Sequence, residues 1–106
     1  MYVQIRTDNQ IVTDATANER LEQRLRTKLK RYASRLGHVE LHVADVNGVK
    51  RGPDKRVSLE VRANGHAPIT VHADAQKVDV AVTAAADKAL RALDHALGRQ
   101  KSTKGH

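Results

Sequence analysis

Four short stretches of the chain alternate apolar and polar residues, and two longer ones repeat apolar residues every three or four positions. Tyr2–Thr7 sets Val3 and Ile5 against Gln4 and Arg6, the period of a half-buried strand. Residues 38–45 place Val39, Leu41 and Val43 on one face, residues 56–63 place Val57, Leu59 and Val61, and residues 68–73 place Ile69 and Val71. Between the first two strands, Leu21, Leu25, Leu29, Tyr32 and Leu36 recur at intervals of 4, 4, 3 and 4, which predicts one continuous amphipathic helix. Thr13 and Thr16 are candidate N-caps, Thr16 having the capping-box spacing to Glu19, and Gly37 stands where a glycine would end the helix. A second helix is predicted over residues 75–97, with Asp74 as its cap and Gly98 closing it. Its stripe runs through Val78, Val82, Ala85, Ala89 and Leu93, flanked by Ala86, Leu90 and Leu97. Asn64-Gly65 is a strong hairpin signal, and residues 46–55 are turn-rich.

The order is β-α-β-β-β-α. The helical crossover makes strands one and two parallel, and the two short connections make the remaining pairs antiparallel. An α+β fold follows: a four-stranded mixed sheet with both helices on one face. The other face carries Gln4, Arg6, His38, Glu40, His42, Arg56, Glu60, Arg62, Thr70 and His72, all polar and suited to water. Residues 1–98 read as a single domain and 99–106 as a short basic tail.

Composition narrows the chemistry. The 106 residues include no Cys, Phe or Trp and only two aromatics in that class, Tyr2 and Tyr32. No apolar run reaches 18 residues and no secretory leader is evident, so a cytoplasmic protein with no membrane span is expected. A net charge of +7 points to polyanionic partners.

That charge has a register. Arg20, Arg24, Lys28, Arg31 and Arg35 follow the leucine rhythm one residue behind, a row about 24 Å long and about 100° around the axis. Like charges at i,i+4 repel, so helix stability does not favour the row; a phosphate surface would compensate for it. On the second helix Lys88, Arg91 and His95 share a stripe, with Lys77 further up and Asp79, Asp87 and Asp94 on the opposite flank. Basic flanks facing one another would make a two-helix cationic cleft, with the acids pointing elsewhere. Lys50, Arg51, Lys55 and Arg56 add a basic loop. The scarcity of aromatics argues against base stacking on the sheet and for contact with the backbone of folded RNA. The histidines miss any tight metal spacing, no phosphate-binding glycine loop is present, and no nucleophile has a partner in sequence, so neither a metal, a cofactor, a small-molecule substrate nor an enzymatic activity is expected.

In this order and spacing, the basic first helix leading into "RLGHVELHVADVNG", the turn "RGPDKRVSLEVRANG" and the closing "AVTAAADKALRAL" resemble the ribosome hibernation-promoting factor and ribosome-associated inhibitor family over residues 1–98. The resemblance implies a stress-time ribosome inactivator that lies in the small-subunit channel between head and body, over the tRNA and mRNA sites. The matching rRNA contacts would be Arg20, Arg24, Lys28, Arg31 and Arg35, with Lys88 and Arg91 on the second helix and Lys55 and Arg56 in the loop. Asp79 stands where many members carry an aromatic, and the second, dimerising domain of long members is absent, so a monomer is expected. The alternative is a module for double-stranded or structured RNA not tied to the ribosome.

Overall fold

The computed structural model describes residues 1–7, 15–45 and 55–98. Strands β1 (Tyr2–Thr7), β2 (Leu36–Asp45), β3 (Lys55–Ala63) and β4 (Ile69–Ala75) lie in that order in one sheet. β1 runs parallel to β2, and the other two pairs are antiparallel. Helix α1 (Ala15–Lys28) crosses from β1 to β2, and α2 (Val78–Leu93) follows β4. The expected α+β architecture is the one observed.

Alternation decides which face is dry. Val39, Leu41, Val43, Val57, Leu59 and Val61 are fully buried, and the residues between them are partly or wholly exposed. Leu21 and Leu25 of α1 and Ala81, Val82, Ala85, Ala86, Ala89 and Leu93 of α2 close over them. Each fully buried Leu or Val contributes roughly 1.5–3 kcal/mol relative to exposure. The alanines bring the backbone of α2 close to β3 and β4, which it covers, while α1 packs beside it over β1.

Several local expectations are corrected. The first helix is not continuous: it ends at Lys28, and a 3-10 segment, Lys30–Arg35, carries the chain to β2. Tyr32 N–H bonds the Leu29 carbonyl, an i,i+3 contact, and Leu29, Tyr32 and Leu36 stay buried. Spacings of 3 and 4 suit both helix types, so the pattern could not reveal the change. Leu36 already belongs to β2, and Gly37 is no helix cap. It occupies an irregularity between Leu36 and His38, where a Cβ would lie 2.9 Å from Asn64 Oδ1.

The second correction concerns Asp74, which is a strand residue paired across from Arg56. β4 continues to Ala75 and α2 starts at Val78, with Lys77 at the N-cap position and no side-chain cap. At the far end the α-helix stops at Leu93 and the chain closes in a π-helical turn, Asp94–Gly98, that still buries Leu97. Asn64-Gly65 does stand at the turn between the antiparallel strands β3 and β4, as its hairpin signal implies. His66 N–H bonds the Ala63 carbonyl at 3.0 Å, and Gly65 alone has positive φ, at 81°. That is a type II turn, whose third residue needs the left-handed region. α1 is already helical at Ala15, so Thr16 sits within its first turn and does not cap it; Thr13, Lys50 and Arg51 lie outside the described residues.

Candidate nucleic-acid interface

Arg20, Arg24 and Lys28 of α1 stand on the flank that faces α2, because Leu21 and Leu25, one position on from the first two, are drawn into the core. The acids of α2 stand opposite them. Arg20 Nε lies 3.6 Å from Asp79 Oδ2, and Arg24 Nη2 lies 4.0 Å from the same oxygen. Arg24 also donates to Thr83 Oγ1 at 3.2 Å. Lys28 Nζ is 2.6 Å from Asp87 Oδ1, and Arg31 Nη2 is 2.5 Å from Asp94 Oδ1. The cationic cleft is therefore overturned: the acidic flank of α2, not its basic flank, faces the row. Four of the five predicted row residues meet a carboxylate in their own chain.

The pairs differ in strength. Those of Asp79 and Asp87 join side chains 33–58% exposed, and such pairs are worth roughly 0–1 kcal/mol each. Asp94 is held more firmly. Its Oδ1 also accepts the hydroxyl of buried Tyr32, and the Arg31 guanidinium lies 5.2 Å from the centre of the Tyr32 ring. The Tyr32 hydroxyl and then Arg31 hold the Asp94 carboxyl below the usual carboxylate range, against the opposing effect of burial. Burial, reinforced by Asp94, raises the Tyr32 phenol, and Asp94 raises Arg31. This clamp fastens the 3-10 segment to the C-terminal end of α2.

The remaining predicted residues divide. Arg35 and Arg91 are exposed, and their side chains have no partner among the described residues. Lys30 and Lys77, which the sequence reading did not select, share that state. Lys88 donates to the His72 carbonyl at 2.6 Å, covering part of the β4 edge. Arg56 lies on the outer face of the sheet, where its Nε and Nη2 bind Asp74 at 2.9 and 3.2 Å. That contact raises Arg56 and lowers Asp74. Lys55 and Arg56, expected in a loop, are the first two residues of strand β3. Arg56, His72, Asp74 and Lys88 line an open depression of about 430 Å³ at the β4 edge. The structure thus joins a β3 residue and a helix residue that sequence spacing kept apart.

Elsewhere the outer sheet face is balanced. Arg6 Nη1 bonds Glu40 Oε2 at 2.9 Å and pulls its carboxyl down; Arg62 Nε bonds Glu60 Oε2 at 3.3 Å. Tyr2 is 60% exposed, with its ring 5.4 Å from that of His38. Among the described residues no helix is long and apolar enough to cross a membrane, and no His/Cys/Asp/Glu cluster could hold a metal ion.

Fold and charge together define an α+β domain with a cation-rich helix layer on a charge-balanced sheet. A match to the family described as sigma 54 modulation protein / S30EA ribosomal protein spans residues 3–101, and the chain belongs to that ribosome-associated family. Solved structures of other proteins share its fold. The Protein Y N-terminal domain of Thermus thermophilus superposes with a TM-score of 0.69, covering 90% of this chain and 98% of that one at 16% identity. A ribosomal subunit interface protein from Coxiella burnetii gives 0.68, covering 96% and 99%, also at 16% identity. No curated protein matches the chain.

Proposed function

We propose that this protein is a hibernation-type translation inhibitor: it binds rRNA of the small ribosomal subunit through its helix layer and occludes the tRNA and mRNA sites without catalysis. The observation that carries the reading is the surplus of cations on that layer. Among the described residues Lys30, Arg35, Lys77 and Arg91 remain exposed and unpartnered after the α1–α2 ion pairs are formed, whereas each arginine of the outer sheet face has a carboxylate. Phosphate is the ligand such a surplus suits, because neutralising phosphates releases counterions and gives affinity without base readout. Family membership and the Coxiella neighbour, named as a ribosomal subunit interface protein, favour the ribosome as the source of that phosphate. The proposed site on that layer comprises Arg20, Arg24, Lys28, Arg31, Arg35, Lys88 and Arg91; Lys55 and Arg56, at the start of β3, are proposed as a second contact outside it. Its proposed ribosomal target makes the cytoplasm the protein's place of action.

Sedimentation of the protein with purified small subunits, paired with translation in vitro, tests the reading. Co-sedimentation that weakens by orders of magnitude over a severalfold rise in salt is expected, together with inhibition of translation. Preference for a plain RNA duplex over the subunit would replace the ribosomal reading with that of a general structured-RNA module.

A further inference from the structure

The acids that face α1 are placed as if to oppose the partner that α1 attracts. Asp79 sits between Arg20 and Arg24, and Asp87 sits on Lys28, so carboxylates interrupt the row at two of its turns. A helix that needed only stability would not require them, since pairs this exposed contribute little. Their effect on an approaching polyanion is larger. A duplex presents phosphates at uniform density, so any track along α1 brings a phosphate beside Asp79 or Asp87. An irregular folded surface can leave those two positions open and still reach Arg35, Arg91 and the row cations. Discrimination of this kind works through a repulsive element against the wrong partner.

We propose that Asp79 and Asp87 are specificity determinants of the helix layer, rejecting uniform polyanions such as duplex RNA while admitting an irregular phosphate surface. The inference rests on the proposed contact of α1 with RNA. Asp94 is not part of it, because its carboxylate is committed to Tyr32 and Arg31.

The test compares two double variants of equal charge change, Asp79→Asn with Asp87→Asn and Glu40→Gln with Glu60→Gln. The second pair lies on the outer sheet face and leaves the row untouched. Thermal melts establish that each remains folded. Binding to a 20-base-pair RNA duplex and to small subunits is then measured against salt. Freeing the row should raise duplex affinity about tenfold or more and steepen its salt dependence by up to two phosphate contacts. The gain on small subunits should stay within about threefold, because that complex draws on contacts beyond charge. The sheet variant should leave duplex affinity nearly unchanged. An equal gain from the sheet variant would reduce the effect to net charge and overturn the inference, as would no gain on duplex or an equal gain on both targets. Failure of the wild-type protein to bind small subunits would remove the ribosomal target, while the duplex arm against the sheet control still decides whether the two acids act as a filter.

Discussion

The two faces of the sheet handle charge differently. On the outer face Arg6 meets Glu40, Arg62 meets Glu60 and Arg56 meets Asp74, so its arginines are matched one to one. On the helix layer Asp79, Asp87 and Asp94 are outnumbered by the cations they face, and among the described residues Lys30, Arg35, Lys77 and Arg91 are left over. Both faces are rich in ion pairs, so counting pairs would not tell them apart. The remainder does. A polyanion is drawn to the layer where pairing leaves positive charge unspent, and that layer is built on the helices.

The largest effect should come from removing that remainder. Arg35→Gln with Arg91→Gln is expected to weaken small-subunit binding about fiftyfold near 0.1 M salt, on the basis of two lost phosphate contacts. Arg6→Gln with Arg62→Gln removes the same charge from the outer face and should change binding by about threefold at most. Equal losses in the two sedimentation assays would erase the distinction between the faces.

The next effect concerns whether the layers fold together. Leu25 is fully buried on the inner face of α1, and Leu25→Ala should cost about 2–5 kcal/mol in denaturant unfolding. With no Trp in the chain, Tyr32 reports the helix layer and exposed Tyr2 the sheet edge. Tyr32→Phe and Tyr2→Leu backgrounds separate the two fluorescence signals. Coincident transitions are expected for a domain of this size. A variant whose Tyr32 signal melts ahead of Tyr2 would show that the helix layer opens on its own.

Much of this was legible in the chain, for reasons specific to each element. The strands announced themselves because one face of the sheet is dry, and a period of two is then obligatory. The break after Lys28 was hidden, since Leu29, Tyr32 and Leu36 keep spacings that an α-helix would also show. Asp74 read as a cap because an acid before a helical pattern usually is one; only the cross-strand register reveals Arg56 as its partner. The cations of the row were identifiable, but their environment was not. The acids opposite them were visible at intervals of 8 and 7, which match alternate turns of the row, yet a linear pattern does not fix how two helices are rotated about their axes.

The clamp on the helix layer and the pairs on the sheet should also separate by pH. Asp94, Asp74 and Glu40 all have lowered carboxyls, so each contributes stability above the ordinary carboxylate range that is lost as pH falls through its folded value. Acid therefore loosens both faces. Base acts on one. The Tyr32 phenol is raised, so its contribution is complete below the unfolded value near 10 and is lost as pH rises through the folded value. Melting temperature should fall by a few degrees in Tyr32→Phe at neutral pH, and the variant should lose the alkaline decline that Tyr32 causes. A decline that persists unchanged would assign it to another group.

The smallest effect tests the turn that joins β3 and β4. Gly65 has φ of 81°, and a Cβ there would meet nothing within 4 Å. Space is therefore not the obstacle to a side chain; backbone conformation is. Gly65→Ala should cost about 1 kcal/mol from left-handed strain, while Gly65→Asn, which tolerates that region better, should cost less. Both changes lie at the β3–β4 turn, which meets the row only through backbone, Asn64 N–H donating to the Arg35 carbonyl at 2.9 Å, so neither should alter small-subunit affinity beyond the change in folded fraction. A loss of binding larger than that fraction would show that the turn contributes to the interface, and the contrast between the helix layer and the sheet would have to be redrawn around it.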